Sequence, residues 1–202
     1  MSGTAYRAAE VIRLLRVQKH DFLNHLQVIS GFLQLNKADR AMDYTRETIK
    51  TVSAQGTVLS LGSNDLALCL LLQGQRAAER QVAVSLEVTP AEVREHAVPY
   101  TAVGIVEAAW EIITGALEQI PVTKRFIRVR VMESTEYYTI HFYTPLGSDA
   151  VAAASENLQQ LIGRTGAHGV FCGACPRDED WELVIRIPQE VPVHRELGNG
   201  GG

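Results

Sequence analysis

The chain has 202 residues, of which 46% are apolar and 21% charged, and its formal net charge is −4 at pH 7. That length suits one large domain or a domain with a helical appendage, and the acidic balance argues against a general nucleic-acid binder, whose surface would be basic. The longest clean apolar run, Leu66 to Leu72, is far too short to span a bilayer, Arg7, Glu10, Arg13 and Arg16 leave no apolar signal core, and an odd set of three cysteines fits a reducing cytoplasm.

From Ala5 to Leu35 the pattern is that of one long helix without proline. Apolar residues recur at steps of three and four, through Val11, Ile12, Leu15, Phe22, Leu26, Ile29 and Leu33. His20 lies on the opposite side. With about 100° of turn per residue, Arg16 and Asn24 fall roughly 40° to either side of it, and Arg13 and Gln27 about 20° away. These five residues form one polar stripe, which Gly31 extends. Core packing does not explain a histidine there, so His20 is a candidate nucleophile. The competing reading is an ordinary solvated histidine. His25 lies about 140° round, close to the apolar arc, and reads as a packed or hydrogen-bonded structural residue.

A polar connection at Asn36–Asp39 precedes a second helix, about 38–54, with Met42, Thr45, Ile49 and Val52 as its inner stripe. Short loops make helices antiparallel neighbours, and two helices alone cannot cover so wide an apolar arc. A second copy of the hairpin would cover it, giving a homodimeric four-helix bundle. The alternative is that the hairpin folds back on the rest of its own chain. Gln55-Gly56 and Gly62-Ser63-Asn64 bracket a connector. A helix over 65–80 follows, with Ser63 or Asn64 as cap, then a strand over 81–88 and a mostly buried helix over 100–120 ended by Pro121. Strands are predicted at 126–132, 137–143 and 181–187, with a helix at 151–162. Helices interleaved with antiparallel strands indicate an α+β sandwich.

The run His20-Asp21-Phe22-Leu23-Asn24-His25-Leu26-Gln27, within residues 20–35, resembles the phosphoacceptor helix of the sporulation initiation phosphotransferase B family. It also resembles the helical domain of some citrate- and malate-type sensor histidine kinases. The resemblance implies that His20 is phosphorylated with Asn24 beside it. It also implies two segments, residues 1–60 as a helical-hairpin phosphoacceptor and dimerisation domain and 61–195 as a degenerate histidine-kinase ATPase-like α/β domain; the glycine-rich 196–202 reads by composition as a disordered tail.

The same resemblance exposes two departures. Active kinases of this type carry an Asn that helps hold Mg²⁺ and phosphates at the position of Gly115, four residues after Glu111, and glycine has no side-chain oxygen to ligate a cation. Their adenine-reading Asp-x-Gly-x-Gly is absent after the second central strand, where the chain reads Thr144-Pro145-Leu146-Gly147-Ser148-Asp149. Self-catalysed use of ATP is therefore not expected. Cys172 and Cys175 have redox or zinc spacing but only His168 nearby, and read as structural or incidental; Gly163, Gly166, Gly169 and Gly173 read as turn glycines.

The expected function is a phosphorelay phosphotransferase. His20 takes a phosphoryl group from the aspartate of one response-regulator receiver domain and passes it to another. No intrinsic cofactor is expected; Mg²⁺ would come with the regulator. Asn24 would contact the phosphoryl group, Asp21 would play a minor flanking part, and Arg13, Arg16 and Gln27 would form the docking surface. An ATP-dependent sensor-kinase fragment and a non-catalytic dimeric regulator remain alternatives, and neither nucleic acid nor membrane is an expected partner.

Overall fold

The computed structural model describes residues 2–89, 98–167, 169–177 and 180–189. The glycine-rich tail 196–202 and His168 lie outside them. Helix α1 spans Ser2–Gln34 and α2 spans Ala38–Val58. Between them Asn36 adopts φ 54°, a left-handed conformation that asparagine tolerates well, and Lys37 N donates to Phe32 O at 2.9 Å, closing α1. Helix α2 runs past its expected end. Gln55-Gly56 is helical, and a Cβ at Gly56 would meet nothing within 4 Å, so this glycine occupies an ordinary open helix position and breaks nothing.

After the connector 59–63, the Ser63 hydroxyl accepts a hydrogen bond from Leu66 N at 3.3 Å and caps α3 (Asn64–Glu79). The remaining elements are β1 (Ala83–Thr89), α4 (Tyr100–Leu117), β2 (Phe126–Glu133), β3 (Tyr137–Thr144), α5 (Ser148–Thr165), β4 (Phe171–Arg177) and β5 (Asp180–Pro188). Helix α4 stops before the expected Ile120. Backbone N–H groups of Gln119 and Ile120 donate to Ala116 O and Leu117 O at its end, and Arg125 ties down the turn beyond it by donating to Ile120 O at 2.9 Å and Glu118 O at 3.0 Å.

The sheet has five strands in the order β1-β2-β3-β5-β4. Strands β1 and β2 are parallel and the other neighbours antiparallel, so the sheet is mixed. One face is buried. Val129, Val131, Ile140, Phe142, Leu183 and Ile185 point into the core, where they meet Leu66 and Leu70 of α3, Trp110 of α4 and Leu158 of α5. Trp110 packs edge-on to Phe142 with ring centroids 5.6 Å apart. The second unit is thus a two-layer α/β sandwich, as the element order indicates.

The hairpin meets this sandwich along one flank only. Helix α2 runs beside the edge strand β1, and α1 touches α3. The connector is tied down at Gly62, whose N–H donates to Glu133 Oε1 at 3.2 Å, and the Tyr138 hydroxyl donates to the same carboxylate oxygen at 2.7 Å. The other flank is open. Ile12, Leu15, Phe22, Leu23, Leu26 and Leu33 of α1 and Met42, Ile49 and Val52 of α2 are 45–61% exposed. The expected inner stripe of α2 therefore faces outward in a single chain. Ala41 and Tyr44 face α1 instead: Ala41 is buried, and Tyr44 packs on His25 and Phe32.

Strand β4 was not anticipated. Its segment shows no apolar alternation, and Gly173 and Pro176 argue locally against a strand. Pairing with β5 forms it, in the register Cys172↔Ile185 and Cys175↔Glu182. Gly173 is consequently a strand residue and Gly163 a helix residue, not turn glycines, whereas Gly166 (φ 65°) and Gly169 (φ 77°) do make turns. Cys172 and Cys175, three apart on one strand, point to opposite faces about 10 Å apart, so they cannot join in a disulfide or share a metal.

Burial pushes the Cys172 thiol up to about 11 from its ordinary 9.0, against a partly offsetting hydrogen bond to Ser155. Burial, reinforced by Glu133, also raises the Tyr138 hydroxyl. A raised folded-state value means that the fold favours the neutral thiol. Its contribution is complete below about pH 9 and is lost as pH rises towards about 11. The urea midpoint of the wild type is expected to fall across that window, and Cys172→Ala to flatten the fall. An unchanged slope in the variant would assign the alkaline loss elsewhere.

Candidate phosphoacceptor site

His20 sits in mid-α1 with its side chain 74% exposed. Asn24, one helical turn on, brings its amide nitrogen to 3.1 Å from His20 Nδ1. Asp21 brings Oδ1 to 3.5 Å from the same ring nitrogen. Nε2 makes no hydrogen bond among the described residues. In a neutral imidazole one nitrogen carries the hydrogen and the other the lone pair. The Asp21 carboxylate can only accept, so it favours hydrogen on Nδ1. The Asn24 amide is compatible with that tautomer once turned over to present its oxygen. The lone pair is then on Nε2, the nitrogen facing away from both. Asp21 therefore has a more direct position than its helical angle alone indicates.

The rest of the stripe divides. Arg16 and Gln27 are exposed, and Arg16 forms no ion pair among the described residues. Arg13 is engaged: its NH2 group donates to both carboxylate oxygens of Glu79 on α3, at 2.9 and 2.8 Å. One turn earlier, Glu10 pairs with Arg76. No local signal in the sequence links residues 66 positions apart. His25 is half-buried, with Nδ1 2.9 Å from the Tyr44 hydroxyl, and belongs to the seam between α1 and α2.

Beside the stripe lies a cleft of about 670 Å³ between the hairpin and the sandwich. Leu14, Val17 and Asp21 form its α1 wall, and Gly74, Ala78, Val84 and Leu86 face them from α3 and β1. In the sandwich itself, Gly115 is half-buried on α4, and a Cβ there would meet nothing within 4 Å. Only 145–147 separate β3 from α5, and Leu146 N donates to Thr144 Oγ1 at 3.2 Å within that tight turn. Among the described residues no group of three or more His, Cys, Asp or Glu side chains could hold a metal, and no helix is long and apolar enough to cross a membrane.

Residues 2–61 match the family described as the Sensor_kinase_SpoOB-type, alpha-helical domain. Over its helical hairpin the chain is therefore similar to the SpoOB type of sensor-kinase domain. A 76-residue stretch is 32% identical to the sensor protein CitS of Halalkalibacterium halodurans, covering 38% of this chain and 14% of that protein. Loosely similar solved structures include the Acinetobacter baumannii histidine kinase AdeS, at a TM-score of 0.44 and 8% identity over 85% of this chain and 98% of the other. Histidine kinase ThkA in complex with response regulator protein TrrA scores 0.44 at 11% identity, over 93% of this chain and 64% of that one.

The hairpin thus carries His20, Asp21 and Asn24 together at one exposed point, with its apolar flank open and its other flank against the sandwich.

Proposed function

We propose that the chain is a phosphorelay phosphotransferase whose His20 receives a phosphoryl group from an aspartyl phosphate on a response-regulator receiver domain and returns it to the aspartate of another. The observation that carries this reading is the exposed His20 ring, with Nδ1 flanked by Asp21 and Asn24 and Nε2 unengaged.

The Nε2 lone pair attacks phosphorus as the acyl-phosphate P–O bond breaks and the regulator's carboxylate leaves. Nδ1 keeps its hydrogen, so the ring becomes cationic as the N–P bond forms. The Asp21 carboxylate stabilises that charge, and the Asn24 amide holds the ring through its Nδ1 side. Arg16, which forms no ion pair among the described residues, attracts the anionic group. Gln27 borders the same surface, and Arg13 enters it only by giving up Glu79. Mg²⁺ is supplied by the regulator. A second copy of the chain covers the open flank of α1 and α2, leaving both His20 stripes outward.

Incubation with receiver domains phosphorylated on aspartate, followed by phosphohistidine mapping, is expected to place label on His20. No transfer from any of them would remove this reading.

The likeness to a sensor protein keeps ATP-dependent phosphorylation as the second reading. Gly115 and the short β3–α5 turn weigh against it. Calorimetry with Mg-ATP is expected to show no saturable binding up to about millimolar concentration, weaker than about −4 kcal/mol. Micromolar affinity, or labelling of His20 from ATP alone, would put the kinase reading first.

A further inference from the structure

We propose that Glu10–Arg76 and Arg13–Glu79 form an interdomain latch, and that this latch holds the wall of the cleft beside His20 in place. The two pairs are reciprocal. Helix α1 presents an acid and then a base at residues 10 and 13, and α3 presents a base and then an acid at residues 76 and 79. Both steps are three residues in the same sense, so the helices run side by side in one direction. A slip of one turn would set Glu10 against Glu79 or Arg13 against Arg76, so the alternation selects one register. Gln75 Nε2 donates to Glu79 Oε1 at 3.2 Å and steadies the carboxylate.

The latch matters because apolar packing on this side is thin: among the described residues of α1 only Leu14 is buried. Close-packed interiors resist movement, whereas the hairpin and sandwich enclose an unfilled cleft of about 670 Å³ between them. The opposite side is anchored by α2 along β1 and by Gly62 on Glu133. That side acts as a hinge and the paired charges as the catch. Opening the catch swings α3 away from Leu14 and Val17 about the α2–β1 contact, and so changes what stands beside the nucleophile. A regulator whose acidic surface draws Arg13 from Glu79 would open it on docking. That last consequence rests on the function proposed above; the latch itself does not.

The test uses spin labels on opposite cleft walls, at Gln18→Cys on α1 and Ala78→Cys on α3, in a Cys175→Ser background, diluted with unlabelled protein so that only distances within one chain are read. The background removes the exposed thiol, since Cys69 and Cys172 are buried. The starting protein is expected to give one narrow distance distribution. Reversing α3 with Arg76→Glu and Glu79→Arg should at least double its width and lengthen its mean. Reversing α1 as well, with Glu10→Arg and Arg13→Glu, should restore it, and all three proteins keep the same net charge. If the α3-reversed chain does not fold, 1 M salt applied to the starting protein replaces it, because screening there acts over about 3 Å. A distribution that stays narrow through charge reversal, or through salt when salt is the arm used, would overturn the latch. So would a failure of the fully reversed protein to recover the starting distribution.

Discussion

Replacing His20 with alanine is expected to lower phosphoryl acceptance from an aspartyl-phosphorylated receiver domain to below about one-thousandth of the wild-type rate, because no other group supplies the attacking lone pair. The fold should not notice. The side chain is 74% exposed and away from the core, so the urea midpoint should correspond to a change within about 0.5 kcal/mol. Asp21→Asn and Asn24→Ala are expected to lower the transfer step by about ten- to a hundred-fold with little change in docking affinity, since their contacts with Nδ1 strengthen as the ring becomes cationic. Rapid-quench assays read the step, and equilibrium titration of unphosphorylated regulator reads the docking. His25→Ala should show the reverse pattern, with lower stability through the lost Tyr44 contact and a modest effect on transfer. Wild-type labelling of the His20→Ala protein would show that the phosphoacceptor is elsewhere.

The second large effect concerns assembly. Leu15→Glu with Leu26→Glu places two carboxylates on the open flank of α1, where both leucines are about half exposed in the single chain. A patch of nine large apolar side chains on one flank of a hairpin is more than a solvated surface ordinarily leaves uncovered. If a second copy covers it, burying an unpaired charge costs several kcal/mol, and a loss of about 3–5 kcal/mol weakens association by about a hundred- to a few-thousand-fold. Sedimentation equilibrium is expected to show wild-type dimers at micromolar concentration and monomers of the double variant, with the sandwich still folded by near-ultraviolet circular dichroism. A monomeric wild type at that concentration would remove the four-helix bundle.

The apolar arc that a second copy or the chain's own sandwich was expected to cover stays open in the single chain from Ile12 to Leu33, and the sandwich meets a different flank, that of Leu14, Val17 and Asp21. Helical periodicity shows that a helix has apolar and polar sides. It does not say which part of a wide apolar arc meets which neighbour.

What the sequence determined by itself is local. The two long helices, the exposed placement of His20, its neighbour Asn24 one turn away, the structural character of His25, the serine cap of α3 and the central strand pair all follow from spacings of a few residues, and all are present in the fold. The tertiary structure decided what depends on residues far apart. Strand β4 exists because β5 offers it a partner, although its own residues are poor strand formers. Arg13 is paired with Glu79, 66 residues away, a partner that its helical angle could not name. Asp21 turns its carboxylate to the ring nitrogen it was expected to touch only from the flank. Periodicity reports the direction a side chain leaves its helix, while its final partner is set by which elements pack together and by charges that meet only after they have.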